Sequence, residues 1–362
     1  MLEFEYSGHP SHVVFGTRAA RGSRLIDAVS RVDAQRVLLV AADADRELAD
    51  PVAEVLRSRI VSWFSDVRPH VPIEVARAAR AAAVEASADA VLSVGGGSTT
   101  GTAKAIALTT GLPVVAVPTT YAGSEVTPVW GLTESGRKTT GVDLRVLPRV
   151  VIYDPGLTLT LPVGLSVASG LNALAHCVEA FWAPGRNPIT SLIVEEGIRA
   201  LAAGLPGVAV DGSDLEARAG VLYGAWLAGT AFATAGSSVH HKVCHVLGGA
   251  FDLPHAQTHA VVLPYSTALA APRTSGSDER IAAALGYDAM PAAEGIATFA
   301  HALGAPSSLR EVGLREDDVD RAIELVDATL SQIPEPVSRS DTEALIWGAF
   351  TGAAPMVEVT RR

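Results

Sequence analysis

Five side chains stand out for what they could do together. His241 and His245 are four residues apart in SSVHHKVCHVLGG, and Asn172 and His176 are four apart in SGLNALAHCVEAFW. On a helix, each pair projects from one face. His255 follows ten residues after His245, in DLPHAQTH, beyond a turn expected at Gly248-Gly249. Imidazole titrates near neutral pH, so histidines gathered in an apolar setting suit hydrogen bonding and proton transfer to a reacting group. Their neighbours are Ala, Val, Leu and Gly, which favours one shared site over five solvated side chains. His240 breaks the face of His241 and reads as structural. His9, His12, His70 and His301 show no partner pattern, and His259 is grouped with them although it lies close to His255.

A second chemistry is written in glycine. Residues 90–108 read AVLSV-GGGSTTG-TAKAIAL: a strand, a triple-glycine turn and a helix start. Gly95, Gly96 and Gly97 allow close backbone approach and positive φ, and free N–H groups at a helix start attract phosphate oxygens. Ser98 and Thr99 add hydroxyls. The spacing is neither GxGxxG nor a Walker loop, so it describes another way of holding a diphosphate. A second polar loop, PTTYAGSE, runs from Pro118 and offers Thr119, Thr120 and Ser124. If both loops leave the same ends of neighbouring strands, they frame one crevice, where open α/β sheets bind ligands.

The elements that must position these groups change character along the chain. Residues 36–41, 60–64, 90–94, 114–117 and 149–153 read as short buried strands, the last stopped by Asp154-Pro155. Helical patterns such as residues 73–87 lie between them, which predicts a parallel α/β sheet. After Pro155 long Ala/Leu-rich stretches follow: 163–182, 189–203, 215–234 and 239–248. The expected organisation is therefore an α/β domain over 1–155 and an all-helical domain over 156–362.

Composition sets limits. In 362 residues, 48% are hydrophobic and 19% charged, enough to bury cores in both halves. A net charge of −11 argues against a nucleic-acid surface, which needs a concentrated basic face. No apolar run is long enough to suggest a membrane span, and the N-terminus lacks the pattern of a signal peptide. The two cysteines, Cys177 and Cys244, form no CxxC pair and fit buried, reduced thiols in the cytoplasm.

Taken in order, GGGS, the TT…GSE loop, DP and the helical histidines resemble the iron-containing alcohol dehydrogenase superfamily. Within it, GGGSTTGTAKAIAL, PTTYAGSEVTPVWGLTESGRKTTG, DPGLTLTLP and HHKVCHVLGGAFDLPHAQTHAVVLP are similar to the maleylacetate reductase branch. The resemblance implies a Rossmann-like N-terminal domain, an all-helical C-terminal domain (the dehydroquinate synthase-like fold), a cleft between them and a homodimer. It implies NAD(P)H-dependent reduction of a small dicarboxylate, with neither nucleic acid nor membrane as partner. Metal-dependent members use an aspartate and three histidines. The matching positions here are Asn172, His176, His241 and His255, with His245 a further histidine assigned to proton transfer. An amide at 172 is a weaker ligand than a carboxylate, which makes metal occupancy doubtful. Position 101, often aspartate in the superfamily, is glycine, as is typical of this branch. The second loop is one residue shorter than the common TTAGTGSE form, with Tyr121 among its small residues.

On this reading the substrate's C=C bond, conjugated to a ketone, takes hydride and then a proton. His241 and His245 are the expected donor and proton source, with Tyr121 shaping the pocket. Lys104, Arg137, Lys138 and Lys242 are the cations available for the substrate carboxylates, Lys138 also for the cofactor. Asp43, just past the strand at 36–41, could bond a ribose hydroxyl, which favours NADH while leaving NADPH open through Arg46. The rival readings are a metal-dependent alcohol dehydrogenase and a dehydroquinate synthase-like lyase.

Overall fold

Valine-rich segments of four to six residues build the sheet. β1 (His12–Phe15), β2 (Val37–Val40), β3 (Ile60–Phe64), β4 (Ala90–Gly95), β5 (Val114–Pro118) and β8 (Val150–Tyr153) form six strands in the order β1-β8-β5-β4-β2-β3, all parallel. The period-2 alternation explains why the strands read as continuous apolar runs. Leu39, Leu92, Val94, Val115 and Val117 join one core layer, while Leu38, Val40, Val91 and Val114 join the other. Helices α1 (Ser23–Ser30), α2 (Arg46–Val55), α3 (Ile73–Glu85) and α4 (Gly97–Thr110) connect successive strands. Two features escape sequence patterning: strand β1, and an antiparallel hairpin of β6 (Val129–Glu134) with β7 (Arg137–Val142). The computed structural model describes residues 4, 6–9, 11–134, 137–333 and 335–355, and the side chains of Arg137 and Lys138 lie outside the described residues.

From Val163 onward the described chain is helical: α5 (Val163–Glu179), α6 (Pro188–Val210), α7 (Leu215–Ala235), α8 (Val239–Phe251), α9 (His255–Ala270), α10 (Ser277–Leu285), α11 (Ala292–Ala302), α12 (Val319–Leu330) and α13 (Arg339–Thr351). A core of Val243, Leu247, Val262, Ile323, Val326, Ile346 and Phe350 joins α8, α9, α12 and α13. The turn expected at Gly248-Gly249 is absent, because α8 runs through both glycines. It ends where Asp252 adopts a left-handed conformation at φ 53°. Among the described residues no helix is long and apolar enough to cross a membrane.

The chain divides into two compact units. One is Gly8–Pro162 with Ser213–Leu222, and the other comprises Val163–Gly212 and the chain from Tyr223. The first therefore extends past the expected limit at 155 and takes in the start of α7. Arg218 supplies the reason. Its buried guanidinium donates to the Thr158 and Leu161 carbonyls and to the Tyr121 hydroxyl, tying α7's first turns to the segment after β8. Asp154 ends β8 in the same unit. Its carboxylate accepts from the backbone N–H groups of Arg18, Ala20 and Gly156.

Beneath the PTTYAGSE loop lies a buried polar staple. Lys104 on α4 donates through Nζ to the carbonyls of Ser124 (2.6 Å), Thr127 (2.8 Å) and Val129 (2.8 Å). Burial pulls its pKa down to about 7, and the buried Glu125 draws it back up. Three carbonyls need three N–H donors, so the ammonium is the form that satisfies them. The Tyr153 hydroxyl in turn donates to Glu125 Oε1 at 2.7 Å. Lys104 is thus structural rather than a free anchor for a substrate carboxylate. Replacing it with Met strands the three carbonyls and is expected to destabilise the protein by about 2–4 kcal/mol. Urea denaturation would read this as a lower midpoint, and an unchanged midpoint would count against the staple.

Candidate active site

The glycine turn is built as the sequence implies. β4 ends at Gly95, whose φ of 150° is a conformation that suits glycine, and α4 begins at Gly97. A Cβ on Gly95 would lie 2.4 Å from Thr99 Oγ1 and 2.9 Å from Asp45 Oδ2. One on Gly96 would lie 3.0 Å from Thr120 Cγ2. The α4 N-terminus has no side-chain cap and no acidic residue in its own first turn. β4 and β5 are parallel neighbours, and Thr119 N–H donates to the Gly95 carbonyl at 3.1 Å. The two polar loops therefore leave the same edge in contact, which brings together Gly95, Gly96, Gly97, Ser98, Thr99, Thr119 and Thr120. This bare cradle fits the diphosphate of a dinucleotide.

Other expected residues fall differently. Ser124 gives its carbonyl to Lys104, and its buried hydroxyl has no partner. Asp43 is exposed and pairs with Arg46 at 3.6 Å, while half-buried Asp45 is the acid whose carboxylate lies against Gly95. Tyr121 is fully buried, with its hydroxyl held by Thr158 and Arg218, so it braces the loop within its own unit. Lys242 lines a cavity with Arg186 and Arg273. Lys138 cannot be placed as a contact, since its side chain is outside the described residues.

The histidines converge within the helical unit. His176 stacks on His241 (ring centroids 4.9 Å, 17°), and Phe232 lies 4.7 Å from each. His245 on α8 and His255 at the start of α9 lie with rings 6.3 Å apart. His259, set aside in the sequence for want of a pattern, is one turn after His255. It lies 4.4 Å from that ring and 4.8 Å from His241. His176, His240, His241 and His259 are buried, whereas His245 and His255 are exposed. Burial first, and neighbouring imidazoles second, hold His176, His241 and His259 well below the usual histidine range. His240 is pulled to about 3 by the same causes. The buried rings are therefore neutral at working pH.

Glu179 governs this arrangement, and sequence reasoning missed it. It stands three residues after His176 and seven after Asn172, on the same face of α5, so its position was the available signal. Its fully buried carboxylate accepts from the backbone N–H groups of Ser238, His240 and His241, capping α8, and meets His241 Nδ1. Burial pushes the Glu179 pKa up, while His240 and these N–H groups pull it down. The carboxylate already accepts from backbone N–H groups and acts as an acceptor here too, so neutral His241 carries its one proton on Nδ1. His241 Nε2 is then a bare lone pair, buried and without a donor. This corrects the expectation that neutral His241 donates to the substrate: its free nitrogen is an acceptor or a metal ligand.

Asn172 Oδ1 and His176 Nδ1 are also buried without partners. Orphaned acceptors on neutral nitrogens, with a carboxylate behind one of them, fit a divalent transition metal. His176, His241 and His255 are the nitrogens at the superfamily positions, with Asn172 a weak oxygen donor.

A family model described as iron-containing alcohol dehydrogenase matches residues 10–155, and its C-terminal counterpart matches 166–350. That description gives no support to the doubt over a metal. Maleylacetate reductase from Rhizobium sp. (strain MTP-10005) is 46% identical, covering 98% of this chain and 100% of the relative. Its crystal structure superposes with a TM-score of 0.93 over the same shares. Maleylacetate reductase from Sphingobium indicum is 45% identical over 98% of this chain and 99% of its own. An iron-containing alcohol dehydrogenase structure from Corynebacterium glutamicum is 46% identical over 98% and 99%, with a TM-score of 0.92. The chain belongs to the iron-containing alcohol dehydrogenase family and is an oxidoreductase.

Proposed function

We propose that the chain reduces the C=C bond of maleylacetate to give 3-oxoadipate, with NADH as reductant, in aromatic-compound breakdown. The observation that carries this reading is full-length likeness. Three relatives named maleylacetate reductase are 43–46% identical across 98% of the chain. Asn172, with its unpartnered carbonyl oxygen, adds support, since a conjugated alkene demands less of a Lewis acid than an aldehyde does. A cytoplasmic setting fits the two free, buried thiols.

When bound, the nicotinamide supplies hydride to the alkene carbon distal to the ketone, and a divalent ion supplies Lewis acidity at the ketone oxygen. The chain's residues do the rest. Gly95, Gly96 and Gly97 let the diphosphate approach the backbone, and the N–H groups of α4 neutralise part of its charge. Asp45, against Gly95, discourages a 2′-phosphate and so favours NADH. Exposed His245 can hold a proton and renew it from solvent, and it delivers that proton to the carbon beside the ketone. Glu179 keeps His241 in one tautomer and orientation.

The direct check is NADH oxidation with maleylacetate against short aldehydes. Maleylacetate should be turned over faster, and a preference for short aldehydes would assign the chain to the alcohol dehydrogenases instead. His245→Gln should lower kcat by roughly 10²-fold or more with little change in cofactor binding. Asp45→Asn should narrow the NADH-over-NADPH ratio of kcat/KM; a ratio that does not move removes Asp45 from cofactor selection. Glu179→Gln offers an amide N–H to His241 Nδ1 and moves the ring proton to Nε2. We expect a loss of about 10–100-fold in kcat with the helix cap largely kept. Glu179→Ala should also lower the thermal midpoint, and equal activity of both variants with wild type would refute the tautomer argument.

A further inference from the structure

Among the buried nitrogens of the helical unit without a hydrogen-bond partner are His241 Nε2 and His259 Nε2. The state of the first follows from Glu179. A separate chain of bonds fixes the second. The Ser266 hydroxyl donates its one proton to the Leu263 carbonyl at 3.0 Å. In the arrangement that keeps this bond, Ser266 Oγ accepts from His240 Nδ1, 2.9 Å away. A neutral His240 then has a bare Nε2, which accepts from His259 Nδ1 at 2.9 Å. That leaves His259 Nε2 as a lone pair directed by a relay of three residues, Ser266, His240 and His259. His240, with both nitrogens spent, orients the others.

Lone pairs buried without a donor are costly unless a cation or donor meets them. The ligand atoms of His240, His241 and His259 all lie within 4.8 Å of one another. His176 stacks on His241 and also carries an orphaned nitrogen. We propose that His259 is a metal ligand in this protein, joining His241 and His176 in an all-nitrogen site in which Asn172 is dispensable. Glu179 then supplies the negative charge through His241, as carboxylates behind metal-binding histidines do. Three neutral imidazoles select a borderline ion such as Zn²⁺ or Co²⁺ over Mg²⁺ or Ca²⁺. The inference does not depend on which substrate is reduced.

The test reads metal binding. Full-length protein stripped by chelation is titrated with Zn²⁺ against a chromophoric competitor, and with Co²⁺ while its visible absorption is followed. Wild type should take up one equivalent and give the intense bands of a four-coordinate site. His259→Gln should weaken Zn²⁺ binding by about 100-fold or more and collapse the Co²⁺ bands, whereas Asn172→Ala should change affinity by no more than about threefold. Far-UV circular dichroism confirms that each variant is folded. Should His259→Gln fail that check, histidine ¹⁵N spectra of wild type decide: Zn²⁺ should move the bare Nε2 signals of the δ-protonated rings. Wild-type affinity in folded His259→Gln, a greater loss in Asn172→Ala, unmoved Nε2 signals or no uptake by wild type would each overturn the proposal.

Discussion

A single buried carboxylate sets the geometry of the histidine cluster. Glu179 reaches from α5 to the first turn of α8, where helix N–H groups otherwise lack acceptors. There it does two things at once. It caps α8, which fixes the rotation of that helix and with it the directions of His240, His241 and His245. It also accepts a hydrogen bond from His241 Nδ1–H, which leaves the opposite nitrogen as a lone pair. A carboxylate buried this deeply is tolerable only because the helix end and three backbone donors replace its water. Stability and chemistry therefore depend on the same bond, and removing it disturbs both.

The α/β unit solves a related problem by a different route. A phosphate cradle must leave its donors unsatisfied until the ligand arrives, so the loops around it have to be held from below. Lys104 gathers three carbonyls at the end of the second loop and just beyond it, Glu125 balances that charge, and Tyr153 hydrogen-bonds Glu125. Arg218 does the same for Tyr121 and the segment after β8. With these buried cations holding the frame, the rim can be glycine, serine and threonine, small enough for a ligand to reach the backbone.

This division explains which parts were legible in the sequence. The strands showed as apolar runs, the triple glycine as a turn, and the i,i+4 histidines as a face, because each is a local pattern. The division into an α/β part and a helical part followed from the change of period after Pro155, and the dehydroquinate synthase-like fold from the family resemblance. Glu179 and Lys104 were obscured because their partners are distant in sequence: His241 is 62 residues from Glu179, and Val129 is 25 from Lys104. A lone lysine in a helix reads as surface until the loop that buries it is known. His259 was passed over because its significance comes from Ser266 and His240, a relay that spacing alone does not reveal. Tyr121 was misread for the converse reason: an aromatic in a polar loop suggests a pocket wall, yet its hydroxyl is spent on an arginine 97 residues later.

The amide at position 172 has an electrostatic consequence. Asn172 and Glu179 lie two helical turns apart on one face of α5, both buried. A carboxylate at 172 would place two buried negative charges beside neutral imidazoles, and in a poorly polarisable interior each would raise the pKa of the other. Such a pair needs a divalent cation to be stable. With asparagine there, Glu179 is the one negative charge of this group, and the positive end of α8 already offsets much of it. The cluster thus carries less uncompensated negative charge than it would with aspartate at 172. Catalysis on a conjugated alkene suits such a site, because the substrate spreads its own developing charge and asks mainly for a positioned proton.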